Sequence, residues 1–115
     1  MTKQDPTLDA LFRALADPTR RGMMEQLMTG PATVSQLAAP LDMALPSVLQ
    51  HLAMLENGGL ITTEKQGRKR ICRAKPEAIG TASDWLSHQR AVWEARLDRL
   101  DAYVTTLMKD RNDDP

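Results

Sequence analysis

TVSQLAAPLDMALPSVLQHLAMLEN, residues Thr33 to Asn57, decides how the rest of the chain is read. Thr33 followed three residues later by Gln36 is a capping-box pattern: a hydroxyl accepts from the third helical N–H while the Gln side chain reaches back. The helix it opens is short and ends near Ala39-Pro40. Asp42 then falls where a tight turn needs a tolerant, positive-φ backbone, which Asp accepts less easily than Gly or Asn. A second helix is expected from about Leu45 to Asn57, with Pro46 in its first turn. Leu45, Val48, Leu52 and Leu55 make its buried stripe, and Gly58-Gly59 supplies a stop free to take positive φ. Two helices joined this way form the unit that can lay its second helix in the major groove of DNA.

Residues 1–6 read as a mobile terminus. A helix from about Thr7 to Ala16 carries Leu8, Leu11, Phe12 and Leu15 on one face. Asp17 can cap the next helix and Pro18 suits its first position. That helix reaches about Thr29, with Met23, Met24, Leu27 and Met28 inward and Gly30-Pro31 as the stop. Gly22 inside it costs about 1 kcal/mol relative to Ala. On the other side, Leu60 to Lys65 and Lys69 to Ala74 read as strands around a Gln66-Gly67-Arg68 turn, ended by Pro76. One long helix is expected from about Ser83 to Met108, roughly 39 Å at 1.5 Å per residue. Its stripe of Leu86, Trp93, Leu97, Leu100, Val104 and Leu107 suits packing on another chain. The order α-α-α-α-β-β-α makes the chain mainly α with a small β-hairpin wing (α+β), a winged helix-turn-helix in one domain over 1–115.

The chain has 115 residues, 42% of them hydrophobic, which is the size of one domain with a modest core. No apolar run is long enough to span a membrane, and the N-terminus lacks the pattern of a secretory signal. A cytoplasmic protein is expected. Fifteen basic and 15 acidic residues cancel, which argues against a generic nucleic-acid coat. The distribution is uneven. No Lys or Arg occurs from Gly22 to Thr63, and six occur from Lys65 to Lys75. That cluster suggests defined phosphate contacts, and its place beside a helix-turn-helix favours this over a merely solvated strand edge. The tail after Met108 is mostly acidic, with Asp110, Asp113 and Asp114.

Leu11-Phe12-Arg13-Ala14-Leu15-Ala16-Asp17-Pro18-Thr19-Arg20-Arg21 resembles the opening signature of the ArsR-type (arsenic-repressor) family of bacterial transcription regulators. Pro46-Ser47-Val48, Gln50-His51-Leu52, Gly58-Gly59-Leu60-Ile61 and Gly67-Arg68 resemble its helix-turn-helix, helix stop and wing. The resemblance covers about residues 8–75. It implies a homodimeric winged-helix repressor on a palindromic operator, with dimerising helices at 7–16 and 83–108. Many members release DNA on binding metal, through a Cys-x-Cys pair in the third helix or His and carboxylate clusters in the last. Here the pair would fall near Thr33 and Ser35, and the last helix has one histidine, His88. The chain is thus similar to the branch without those sites, and no metal or cofactor is assigned.

Within that frame, Gln50 points opposite the buried stripe of the reading helix, flanked by Ser47 and Leu49. Gln can bond adenine bidentately, Ser can contact several bases, and Leu49 can touch a thymine methyl. The family carries Gln near Leu45 and a small polar residue near Leu49. Two apolar residues there mean an altered base preference or weaker specific binding. Leu45 itself reads as core, and Leu49 equally as a scattered surface leucine. Phosphate contacts fall to Lys65, Arg68, Lys69 and Arg70 in the wing. Arg20 and Arg21, in a first turn where the dipole disfavours cations, are open between a phosphate contact and an ion pair with Asp17 or Glu25. His51 packs and hydrogen-bonds at a helix interface, within reach of a phosphate or base. The dimer interface is assigned to Leu8, Leu11, Phe12, Leu15, Trp93, Leu97, Leu100, Val104 and Leu107. Cys72 reads as a small strand residue rather than a redox sensor. Trp85 and Trp93 read as interface anchors or pocket walls.

The partners implied are double-stranded operator DNA and a second copy of the chain, with a small-molecule inducer left open. A protein-interaction module and a metal-responsive repressor with a non-standard site are the alternatives. The chain shows no nucleophile–base set and no phosphate-cradling glycine loop, so an enzyme is not expected.

Overall fold

A computed structural model describes residues 5–112; residues 1–4, Asp113 and Asp114 of the expected termini lie outside it. The chain divides into two compact units, one up to Ala82 and one from Ser83 onward. The first begins with α1 (Pro6–Leu15). Asp5 and Pro6 belong to this helix start rather than to a mobile terminus. The Asp5 carboxylate accepts from the backbone N–H groups of Thr7 and Leu8, and Pro6 takes the position whose N–H would be unpaired. Next comes α2 (Pro18–Met28), capped by Asp17 as expected, with Met23, Met24 and Leu27 buried. Met28 is exposed rather than inward, because it is the last residue of the helix.

The chain then adds an element that the sequence did not announce. Ala32–Thr33 form β1, which leads directly into α3 (Val34–Ala38). Thr33 does two jobs. It pairs with Ile71 across the sheet, and its hydroxyl accepts from the Gln36 N–H at 3.1 Å while the Gln36 side chain accepts from the Thr33 N–H at 2.9 Å. The capping box is thus complete. The turn to α4 (Leu45–Asn57) needs no left-handed residue. Among the described residues only glycines have positive φ, so Asp42 is not strained.

Helix α4 has the predicted bounds, and Val48, Leu52 and Leu55 are buried. Leu45 is not core; it is 55% exposed. As the first helical residue it lies past the end of its packing partners, and side chains lean toward the helix N-terminus. The stop is a Schellman motif: the Leu60 N–H reaches the Leu55 carbonyl at 3.0 Å, and the Gly59 N–H, with φ +74°, reaches Glu56 at 3.0 Å. Gly58 has a separate reason to be glycine. A Cβ there would stand 2.9 Å from Ala14 Cβ and 3.0 Å from the Ala10 carbonyl oxygen. Its bare backbone lets α4 end against α1.

Strands β2 (Ile61–Gln66) and β3 (Lys69–Ala74) pair antiparallel around Gly67-Arg68, with Gly67 at φ +64°. The sheet order is β1-β3-β2, so β3 is central and the wing is three-stranded. Cys72 on β3 faces Ala32 and Thr63 and is fully buried. The last helix, α5, runs from Pro76 to Asn112, starting seven residues before the expected Ser83. Pro76 ends the strand and also opens the helix, and buried Ala78 and Ala82 tie this first part to the core of the first unit. The second unit is the rest of α5. Its large apolar side chains, from Trp85 to Met108, are 43% to 61% exposed. No helix among the described residues is long and apolar enough to cross a membrane.

Candidate nucleic-acid interface

The first half of α4 presents its outer face beside the wing. Leu45, Leu49 and Gln50 are exposed and Ser47 is half-buried. Leu45 and Leu49 share a groove of about 410 Å³ with Thr33 to Gln36 of α3 and with Arg68, Lys69 and Arg70 of the wing. The structure therefore brings the exposed start of α4 and the basic hairpin to one concavity. It adds Leu45 and the start of α3 to that wall. The sequence signal for Leu45 was its place beside Pro46 at the helix start; periodicity alone put it inside.

The wing cations differ among themselves. Lys65, Arg68, Lys69 and Arg73 make no side-chain ion pair among the described residues. Arg70 is tethered: its guanidinium donates to the Thr63 hydroxyl at 2.9 Å, which donates to the Glu56 carboxylate at 2.9 Å. This short relay fixes the wing to the last turn of α4.

A second groove, also about 410 Å³, is lined by Arg20, Gln50, His51, Ala53, Met54 and Asn57. Here the expectations for Arg20 and Arg21 need correction. Arg20 Nε donates to the Ala14 carbonyl at 2.7 Å and Nη2 to the Arg13 carbonyl at 3.1 Å. Arg21 Nη1 donates to Leu15 at 2.8 Å. Both side chains close the carbonyl end of α1, where a cation suits the dipole. Their position in α2 was unfavourable only when that helix was considered alone. Arg20 Nη1 also lies within hydrogen-bond distance of His51 Nδ1, at 3.2 Å. Asp17 lies 3.9 Å from the same ring nitrogen. The Arg20 backbone N–H, then the nearby Arg20 charge, hold the Asp17 carboxyl below its usual range against the opposing effect of burial. Three of the Arg20 guanidinium donors are thus engaged inside the fold. His51 has the interface role expected of it.

Of the assigned interface residues, Leu11 is 1% exposed and belongs to the first unit's own core, so it faces no other chain. Phe12 and Leu15 are partly buried against that core, and Leu8 is half-buried. Trp93, Leu97, Leu100, Val104 and Leu107 are all exposed. Burial pushes the Cys72 thiol up from its ordinary value, which disfavours the thiolate that a reactive cysteine needs. Among the described residues, no three or more His, Cys, Asp and Glu side chains come together as a metal-holding group.

Residues 17–63 match the bacterial regulatory protein, arsR family. The arsenical resistance operon repressor of Escherichia coli is 31% identical over 100 residues, covering 86% of this chain and 83% of that protein. The chain belongs to the arsR family. As a member it is a transcriptional regulator with a winged-helix fold, not an enzyme. An HTH-type transcriptional regulator of Mycobacterium tuberculosis is 37% identical over 71 residues, 62% of this arsR-family chain and 66% of that protein. A solved ArsR family transcriptional regulator superimposes with a TM-score of 0.76 at 48% identity, covering 82% of this chain and 97% of the other. An ArsR-like regulator from Rhodococcus sp. RHA1 gives 0.73 at 29% identity, covering 82% and 89%.

Proposed function

We propose that this chain is a cytoplasmic, dimeric, sequence-specific repressor that binds a palindromic operator. Helix α4 enters the major groove, where Ser47, Leu49 and Gln50 meet base edges. Lys65, Arg68 and Lys69 neutralise backbone phosphates beside it, with Arg70 held alongside. The observation that carries this reading is the shared groove: an exposed helix start and three wing cations line one concavity on a chain with zero net charge. The exposed stripe of α5 supports pairing with a second copy, which would set two reading helices about 34 Å apart.

Binding to the DNA upstream of the protein's own gene, measured across a salt series, tests the reading. Tight, sequence-selective binding that weakens steeply with salt is expected. Gln50→Ala should cost about 1–3 kcal/mol and relax selectivity at one base, and Arg68→Ala should weaken all sequences alike and reduce the salt slope by about 1. Binding indifferent to sequence would sink the proposal.

A further inference from the structure

We propose that Leu45 and Leu49 act together as a reader of thymine methyl groups, so that the preferred half-site carries two thymines against them. This rests on the DNA-binding reading above and names what that face selects. Helix α4 sorts its apolar residues into two sets. Val48, Leu52 and Leu55 are at most 4% exposed, whereas Leu45 is 55% and Leu49 44% exposed. The second pair is therefore surplus to the core. The two are four residues apart, so they lie on one side of the helix, about 6 Å apart along its axis. That is close to two base-pair steps of about 3.4 Å.

Their position fixes what they would meet. The first residues of a reading helix are those that reach base edges. In the major groove the apolar group that projects from the base edges is the C5 methyl of thymine, set among donors and acceptors. A polar residue at these sites would choose among donors and acceptors, and a leucine cannot. The occupant is argued by charge. The groove that holds Leu45 and Leu49 is also lined by Arg68, Lys69 and Arg70, so apolar recognition is set beside a polyanion contact. Gln50, adjacent and exposed, is left to read an adenine next to these thymines.

The test separates the methyl from everything else about the base. Duplexes that bind are selected from a randomised library with the native protein. The best one is then remade with deoxyuridine in place of each thymine in turn, which removes only the methyl. Two positions per half-site should each lose about fourfold in affinity, the effect of withdrawing one buried methyl group. Leu45→Ala and Leu49→Ala should each become insensitive to the swap at one of those positions, with a thermal midpoint close to that of the native protein. Selective binding that changes by less than about twofold at every deoxyuridine would overturn the inference and leave DNA reading intact. A library that yields no enriched sequence would overturn the DNA reading and this inference with it. The deoxyuridine series uses the unaltered protein, so it decides the matter even if a leucine variant fails to fold.

Discussion

Arg20 shows how a side chain can serve a helix other than its own. Its guanidinium holds two carbonyls at the end of α1 and the His51 ring on α4, so one residue joins three helices. Arg20→Ala should lower the unfolding free energy by about 1–3 kcal/mol, because it leaves partly buried acceptors unpaired. Arg20→Lys should recover only part of this, since an ammonium cannot span the same fork. Urea titration at unchanged m-value reads both. This role was not legible in the sequence. Spacing reveals partners three or four residues apart on one helix, whereas Arg20 reaches six and seven residues back across a turn. Two glycines make the opposite comparison. Gly58→Ala should destabilise by about 1–3 kcal/mol, because the added methyl meets Ala14 and a carbonyl. Gly22→Ala should stabilise by about 0.5–1 kcal/mol, since a Cβ there meets nothing within 4 Å. Thermal melts of the two variants should therefore move in opposite directions.

Helix α4 was legible to the residue because its signals are local: Pro46 in its first turn and a glycine pair past its end. Strand β1 was illegible for the complementary reason. Two residues offer no alternation, and their pairing partner lies some 40 positions away, at Ile71 and Cys72. The early start of α5 is hidden in the sequence because Pro76 reads as a stop, although proline serves equally as a first helical residue. The candidate site followed the same division. The basic wing and Gln50 could be seen in the sequence, while the exposure of Leu45 depends on where its packing partners end. Strand β3 is the central strand, and it holds Cys72 fully buried with its thiol kept protonated. Cys72 should therefore resist an aromatic disulfide reagent in the native protein and react at the rate of unfolding, becoming fast in denaturant. Rapid labelling of the native chain would contradict that burial.

Over the whole molecule, equal numbers of positive and negative charges conceal a local cationic hairpin, and long-range attraction to DNA must be weak beyond a screening length of about 8–10 Å. In the proposed dimer, affinity then depends on contact and on having two reading heads. The stripe on α5 is the surface offered for the second head. Leu100→Glu should convert the proposed dimer to a monomer by sedimentation, because it places a charge in the centre of that stripe. Operator affinity should fall with it while the helical content of the first unit is retained. A variant that stays dimeric would move the interface elsewhere.

The residue pair that starts α3 also closes the sheet, and this matters to anyone who treats wings as interchangeable cassettes. Swapping in the hairpin of a relative would replace Ile71 and Cys72, the two positions that hold β1 in register. Thr33 would lose its strand partner just where its hydroxyl begins the helix. A graft confined to residues 64–70 keeps that seam and exchanges only the tip. A longer graft carries the register of α3 with it, so under the proposed function changes in phosphate contact and in base choice would arrive together.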